Sequence, residues 1–134
     1  MLYDDLSHVS LNELMAAQNW QAKYRLITDW GKLITHKAEL RNSEYLVRGC
    51  ETLVWLGHSI VDDKHRFAFD SDSRVMNGLA ALLLSLIDNK ISEELVNIQV
   101  NDVLQQSGLE KHITPSRNNG FKTIVEQAYK LSAI

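Results

Sequence analysis

The stretch TLVWLGHSIVDDKHRFAFD, residues 52–70, decides the fold. Its first half is rich in β-branched and aromatic residues, and apolar alternation returns in RFAFD after the polar DDK. Two such segments around a polar turn are typical of a β-hairpin. The pattern predicts antiparallel strands at about residues 52–61 and 65–69, with a short third strand at about residues 45–47.

The segment DSDSRVMNGLAALLLSLIDN, residues 70–89, predicts that a helix follows the hairpin directly. Residues 70–73 are all of types that cap a helix N-terminus, and acidic groups there suit the positive end of the helix dipole. Residues 75–87 are apolar almost all round. A helix of that kind is expected in the middle of a domain, where neighbouring elements cover it on every side.

The sequence before the hairpin predicts two helices and a loop. Ser10 followed by Glu13 forms a capping box ahead of a short apolar face. Aromatic and apolar residues at helical spacing indicate a second helix at about residues 20–33. Residues 35–42 are polar and lack a clear period, which predicts a loop that leads towards the hairpin.

The sequence after the central helix predicts three more helices. Ser92 and Asn101 are of N-cap types and are expected to begin two short helices, the second of which Gly108 ends. Thr114 and Pro115 fit the N-cap and the first residue of a final helix with one apolar face. No repeat or low-complexity segment interrupts the chain.

The length and the order of these elements predict the architecture. With 134 residues the chain has the size of one ordinary domain, and its 45% of hydrophobic residues allow a sizeable core. Helices, a hairpin and then more helices predict a single α+β domain over residues 1–134. A small antiparallel sheet is expected to pack against several helices.

The charge pattern and the N-terminus limit the classes of partner. The formal net charge is -3 and no run of Lys or Arg occurs, which argues against nucleic acid, since phosphate binding needs a clustered basic surface. The start MLYDDLSHVS has neither the basic residues nor the apolar stretch of a signal peptide. The most apolar run, residues 79–87, is too short to span a bilayer. We expect a cytoplasmic protein without a membrane partner.

Cys50 is the only cysteine, and it lies in YLVRGCETLVWLG, residues 45–57. A single cysteine excludes an internal disulfide and an all-cysteine metal site. The histidines lack the short spacing of paired zinc ligands; His58 and His65 could meet across the hairpin, but two exposed histidines are the commoner outcome. We therefore expect no metal ion and no cofactor.

The residues beside Cys50 leave its role open between three readings. Gly49 permits backbone conformations closed to other residues and leaves room for a second sulfur, as a reactive thiol requires. The adjacent Arg48 favours the thiolate, whereas Glu51 opposes it. The alternative is a small buried hydrophobe, as most free cysteines are. A hydrolytic nucleophile would need a histidine base, and no cysteine-protease signature surrounds Cys50.

Four motifs occur in order along most of the chain. They read WQAKY at residues 20–24, GCETLVW at 49–55, DSDSRVMNGL at 70–79 and HITPSRNNGF at 112–121. In this order and at these gaps the chain resembles the SufE/CsdE family of sulfur-acceptor proteins. Each motif alone would be weak, whereas the ordered set makes the resemblance specific.

The resemblance implies that Cys50 accepts sulfane sulfur from a pyridoxal-phosphate cysteine desulfurase, stimulates that enzyme and becomes a persulfide. The sulfur would then pass to a downstream sulfur acceptor or scaffold, usually toward iron–sulfur cluster assembly. The resemblance also implies a loop that tucks the thiol inward or extends it to the desulfurase. Such a carrier needs one accessible thiol and no second thiol that would resolve the persulfide into a disulfide.

The same resemblance suggests roles for the other site residues. Arg117, in the Ser-Arg box, matches the family's arginine near the acceptor loop, where it would favour the thiolate or bind a partner carboxylate. Asp72 matches an acidic position near that loop, although a helix cap explains it equally well. Arg48, Gly49 and Glu51 would form the loop and its contact with the partner.

The chain departs from the family pattern at two positions. Phe69 stands where glycine is usual, which predicts a different exit from the hairpin, and Glu51 stands where a neutral polar side chain is common. Neither change removes the acceptor. The alternative function is a non-catalytic regulatory module that docks on the desulfurase with Cys50 buried. The motifs do not distinguish the SufE branch from the CsdE branch.

Overall fold

The computed structural model describes residues 1–133 and confirms the α+β architecture. In these residues six α-helices accompany a three-stranded antiparallel sheet with strand order β1-β2-β3. The helices are α1 Leu11–Ala16, α2 Trp20–Gly31, α3 Arg74–Ile87, α4 Ser92–Asn97, α5 Val100–Gln106 and α6 Pro115–Ser132. The strands are β1 Val54–Val61, β2 Lys64–Ser71 and β3 Lys90–Ile91, and short 3-10 helices span Ala38–Leu40 and Leu109–Lys111.

The hairpin forms where the sequence predicts it. Strands β1 and β2 pair antiparallel from Val54↔Ser71 to Val61↔Lys64. The turn consists of Asp62 and Asp63, whose φ angles of 53° and 66° are left-handed. Two left-handed residues in a two-residue loop are typical of a type I′ turn, which matches the natural twist of the strands.

The third strand is not the predicted one. Strand β3 is Lys90–Ile91, which pairs with the start of β2 just after the central helix. The expected strand at residues 45–47 contributes only an isolated bridge, Leu46↔Trp55. A two-residue strand carries no alternation that a sequence pattern could reveal, because alternation needs several residues.

Helix α3 is the buried centre of the domain, as predicted. Of the four possible caps it uses Ser73, whose hydroxyl accepts a hydrogen bond from the Met76 N–H at 3.2 Å. Gly78 lets α3 approach α2 closely, because a Cβ at this position would lie 1.9 Å from the Ile27 carbonyl oxygen. The glycine of the NGL motif therefore has a packing role.

The core lies between one face of the hairpin, α3 and α6. The hairpin contributes four alternating side chains that are at most 2% exposed, Val54, Leu56, Phe67 and Phe69. Its opposite face carries Trp55 and Ala68, which Leu40 covers. Both faces of the hairpin are thus covered, so it is held in place from two sides.

Several predicted helix boundaries need correction. Helix α4 begins at Ser92 with Ile91 as the N-cap residue, and α5 begins at Val100, so Asn101 lies inside α5 and caps nothing. The predicted loop at 35–42 contains a 3-10 helix. Gly108 follows α5 with a φ of 74°, as a helix-ending glycine should.

The last helix starts as predicted. The Thr114 hydroxyl accepts a hydrogen bond from the Arg117 N–H at 3.3 Å, and Pro115 occupies the first turn. No helix in residues 1–133 has the combined length and hydropathy needed to cross a bilayer.

Candidate functional site

The Cys50 thiol points toward helix α6 and is partly buried. Its Sγ donates a weak hydrogen bond to the Gly120 carbonyl oxygen at 3.6 Å, and the side chain packs against the main core. Burial raises the pKa of the thiol above its ordinary value. Burial therefore favours the neutral thiol in this conformation, and an effect of Arg48 on the thiol stays a prediction.

The helix surface beside the thiol is open because Gly120 has no side chain. A Cβ at this position would lie 3.7 Å from Cys50 Sγ and 3.4 Å from the terminal methyl of Met76. Both distances are ordinary van der Waals separations. A gap the size of one methyl group therefore lies beside the sulfur.

Glu51 anchors the loop to the first turn of α6. The Ser116 hydroxyl donates a hydrogen bond to Glu51 Oε2 at 2.6 Å. The carboxylate thereby lies at the positive N-terminal end of an 18-residue helix, where the helix dipole favours a negative charge. Glu51, which stands where a neutral polar side chain is common, therefore attaches the loop to helix α6.

Gly49 has a backbone conformation that other residues avoid. Its φ is 95°, and a Cβ at this position would meet only Thr123, at 3.7 Å. A side chain would therefore fit at position 49, but the left-handed φ angle favours glycine there. The loop meets α6 at three positions spaced along one helix face, Ser116, Gly120 and Thr123.

The two arginines of the predicted site have free guanidinium groups. Neither Arg48 nor Arg117 makes a side-chain hydrogen bond or an ion pair with any of residues 1–133; Arg48 is exposed and Arg117 partly buried. Arg117 follows the loop anchor Ser116 directly in α6. Its support of the loop or of a partner stays a prediction.

Asp72 belongs to an ion-pair network at the end of β2. Arg41 Nη2 lies 2.9 Å from Asp72 Oδ1, and Arg41 Nε lies 2.8 Å from Asp70 Oδ2. The hydrogen bond from Arg41 lowers the pKa of Asp72. The Arg41 guanidinium also stacks 4.7 Å above Trp55. Asp72 therefore neither caps α3 nor contacts the thiol here, and its role in sulfur transfer stays a prediction.

Lys37 fixes the chain that leads to the loop around Cys50, and sequence reasoning missed it. Its Nζ is fully buried and bonds to Asp4 Oδ2 at 2.6 Å and to the Thr35 and Phe69 carbonyls, each at 2.8 Å. Its backbone N–H donates to Asp70 at 2.8 Å. A buried lysine next to a buried carboxylate is a tertiary arrangement, and the aperiodic segment 35–42 gave no signal for it.

The surroundings of Cys50 lack the base that a cysteine hydrolase requires. Within residues 1–133 the thiol has a single hydrogen-bond partner, the Gly120 carbonyl, so no histidine is hydrogen-bonded to it. The same part of the chain contains no group of three or more His, Cys, Asp or Glu that could hold a metal ion. His58 and His65 do meet across the hairpin, but His65 is buried rather than exposed.

Comparison with known proteins identifies the family of the sequence. The sequence matches the SufE family, described as an Fe-S metabolism associated domain, over residues 9–132. It is 27% identical over 122 residues to an uncharacterized SufE-like protein of Rhizobium meliloti (strain 1021), a match that covers 87% of each chain.

The fold has a counterpart among solved structures. The solution structure of a hypothetical protein from Thermus thermophilus superimposes with a TM-score of 0.75 at 14% identity, over 98% of this chain and 96% of that one. At that identity the likeness concerns the fold alone. Because the family match covers nearly the whole chain, this protein belongs to the SufE family of Fe-S metabolism associated domains.

Proposed function

We propose that this protein is a sulfur acceptor that takes persulfide sulfur from a pyridoxal-phosphate cysteine desulfurase onto Cys50. The observation that carries the proposal is the position of the sole thiol, on a loop attached to α6 by few contacts. That loop contains the family's acceptor motif at Gly49 and Cys50. The acceptor would stimulate the desulfurase by removing its sulfur, and the family's place in iron–sulfur metabolism suggests where the sulfur goes.

The transfer is an ordinary thiol exchange. The Cys50 thiolate attacks the terminal sulfur of the enzyme's cysteine persulfide, and a new S–S bond forms at Cys50. The enzyme's own S–S bond breaks, and its cysteine leaves as a thiolate that takes up the proton released from Cys50. No electrons are gained or lost overall, so no oxidant or cofactor is required.

The loop would protect the thiol in its closed conformation on α6 and transfer sulfur in an open conformation. With the loop on α6, burial raises the pKa of the Cys50 thiol, which keeps it protonated and poorly nucleophilic. When the loop leaves α6, the thiol enters water and its pKa falls toward the ordinary value. The nucleophile would thus form mainly in the extended conformation that can reach a partner.

The same arrangement would protect the product. A persulfide in the gap beside Gly120 would be shielded from small thiols and oxidants until a downstream acceptor or scaffold binds. Gly49 would absorb the backbone change on opening, because its φ of 95° can shift without a Cβ clash. A reducing compartment such as the cytoplasm suits a carrier with one free thiol.

One observation favours a second candidate, a regulatory module that docks on the desulfurase without carrying sulfur. The thiol faces inward and has a raised pKa, as a merely structural cysteine would. In that case the surface of the loop, and not the sulfur of Cys50, would act on the enzyme.

Desulfurase stimulation separates the two candidates. Alanine release from cysteine is measured with a cysteine desulfurase, with the parent chain, and with Cys50→Ser at matched concentrations. An acceptor requires that Cys50→Ser lose the stimulation while still competing with the parent chain for the enzyme. Full stimulation by a folded Cys50→Ser chain would establish the regulatory module.

A further inference from the structure

A second group of reactive side chains lies at the other end of the sheet. His65 Nε2 is 2.7 Å from Ser92 Oγ, and His65 Nδ1 is 2.7 Å from His58 Nε2. His58 is on β1, His65 is on β2 and Ser92 is the first residue of α4. Three elements therefore join a hydroxyl, an imidazole and a second imidazole in one hydrogen-bonded chain.

The hydrogen-bonded series of Ser92, His65 and His58 has the order that activation of a nucleophile requires. With both imidazoles neutral, one proton arrangement has the Ser92 hydroxyl donating to His65 Nε2 and His65 Nδ1–H donating to His58 Nε2. In that arrangement His65 is a base within reach of the hydroxyl, and His58 orients its ring by accepting a hydrogen bond from it. Burial, and then the neighbouring His65, lower the pKa of His58, which keeps its ring neutral as an acceptor.

The serine end of this hydrogen-bonded series is its most exposed part. His65 is 1% exposed and His58 is partly buried, whereas Ser92 is exposed. Ser92 also lines a cavity of about 270 Å³ whose other walls are Leu95, Val96, Tyr129, Ser132 and Ala133. The cavity walls are mainly apolar, so a short alkyl group suits them better than a charged one.

We propose that Ser92 is an activated nucleophile that accepts the acyl group of a small apolar ester bound in this cavity. Ser92 Oγ attacks the ester carbonyl carbon, and its proton passes to His65 Nε2. The ester C–O bond breaks, the alkoxide leaves with that proton, and an acyl-serine remains for water to hydrolyse. The step involves no change of oxidation state and does not use Cys50, so it is independent of sulfur transfer.

The test uses p-nitrophenyl butyrate with the full chain, followed through nitrophenolate release and through peptide mapping of the acyl group. We expect butyrylation of Ser92, or turnover, that Ser92→Ala abolishes. Ser85→Ala is the matched control, because Ser85 lies outside this cavity and its hydroxyl donates a hydrogen bond to the Leu82 carbonyl in its own helix. That control should react like the parent chain.

A further variant tests the role of the histidines. His58→Phe keeps an aromatic ring in a partly buried position but removes the acceptor for His65, and it should slow acylation about a hundredfold. A folded parent chain that shows neither acylation of Ser92 nor ester turnover dependent on Ser92 would overturn the proposal. So would labelling at Ser92 that proceeds at the parent rate in His58→Phe, since the hydroxyl would then be unactivated.

Discussion

Removal of the Ser116 hydroxyl should loosen the acceptor loop without changing any charge. In the resting state Ser116 Oγ donates to Glu51 Oε2 at 2.6 Å, and this is the strongest polar contact between the loop and α6. Both side chains have access to water, so the net value of this charge-assisted bond is about 1 kcal/mol. Ser116→Ala should therefore raise the open-to-closed ratio of the loop about fivefold.

The assay is the rate of Cys50 alkylation by iodoacetamide, measured below the pKa of the thiol. In that range the rate is proportional to the thiolate fraction and to the open fraction, so Ser116→Ala should react up to about fivefold faster. The pH profile of its rate should also move toward that of an ordinary thiol, because burial raises the pKa of Cys50 only while the loop is closed.

Ser132→Ala is the matched control for this experiment. It makes the same substitution near the far end of α6, where the hydroxyl bonds within its own helix. A double-mutant cycle with Glu51→Ala should show that the two effects are not additive, since each change removes the same hydrogen bond. Equal rates in Ser116→Ala, Ser132→Ala and the parent chain would refute a loop held by this contact.

Three further predictions follow from the geometry. Gly49→Val should leave the chain folded but slow sulfur uptake from a desulfurase, because valine disfavours a φ of 95°. Thr52→Val, which introduces valine at an exposed neighbouring position, should take up sulfur at the parent rate, and a parent rate in Gly49→Val as well would exclude Gly49 as the hinge. Arg117→Ala should weaken desulfurase stimulation and leave the melting temperature unchanged, because the Arg117 guanidinium has no partner within residues 1–133. Unchanged stimulation at subsaturating concentration would show that Arg117 is a solvated surface residue without a role in stimulation. Asp70→Asn should destabilise the fold by about 3 kcal/mol in urea titrations at pH 7, since it leaves buried donors without their carboxylate. Burial works to raise the pKa of Asp70, but hydrogen bonds from Arg41 and Lys37 outweigh burial and lower the pKa. The loss of stability in Asp70→Asn should therefore shrink as pH falls below about 4, and a loss independent of pH would contradict a lowered pKa of Asp70.

The hairpin and the central helix could be predicted because their signals are local. Alternation in β1 and β2 and the apolar run of α3 are properties of consecutive residues, and so is the Thr114 and Pro115 start of α6. Strand β3 could not be predicted, since its two residues pair only because α3 returns the chain beside β2.

The environment of the site could be predicted less well than its position. Sequence motifs predicted a site at Cys50 and the glycine before it, whereas the inward orientation of the thiol depends on Gly120 in α6, which lies 70 residues further along the chain. The role of Glu51 as an anchor depends on Ser116 in the same way. Lys37 and Arg41 were missed because their partners come from the N-terminus and the hairpin.

The measurement that tests the central claim most directly is intact mass after incubation with a cysteine desulfurase and cysteine. Sulfur transfer predicts a gain of roughly 32 Da, one sulfur atom, that maps to the peptide containing Cys50 and disappears on treatment with a reductant. Cys50→Ser should show no such gain. An unchanged mass for the parent chain beside a persulfidated desulfurase, or an equal gain in Cys50→Ser, would contradict a sulfur acceptor at Cys50.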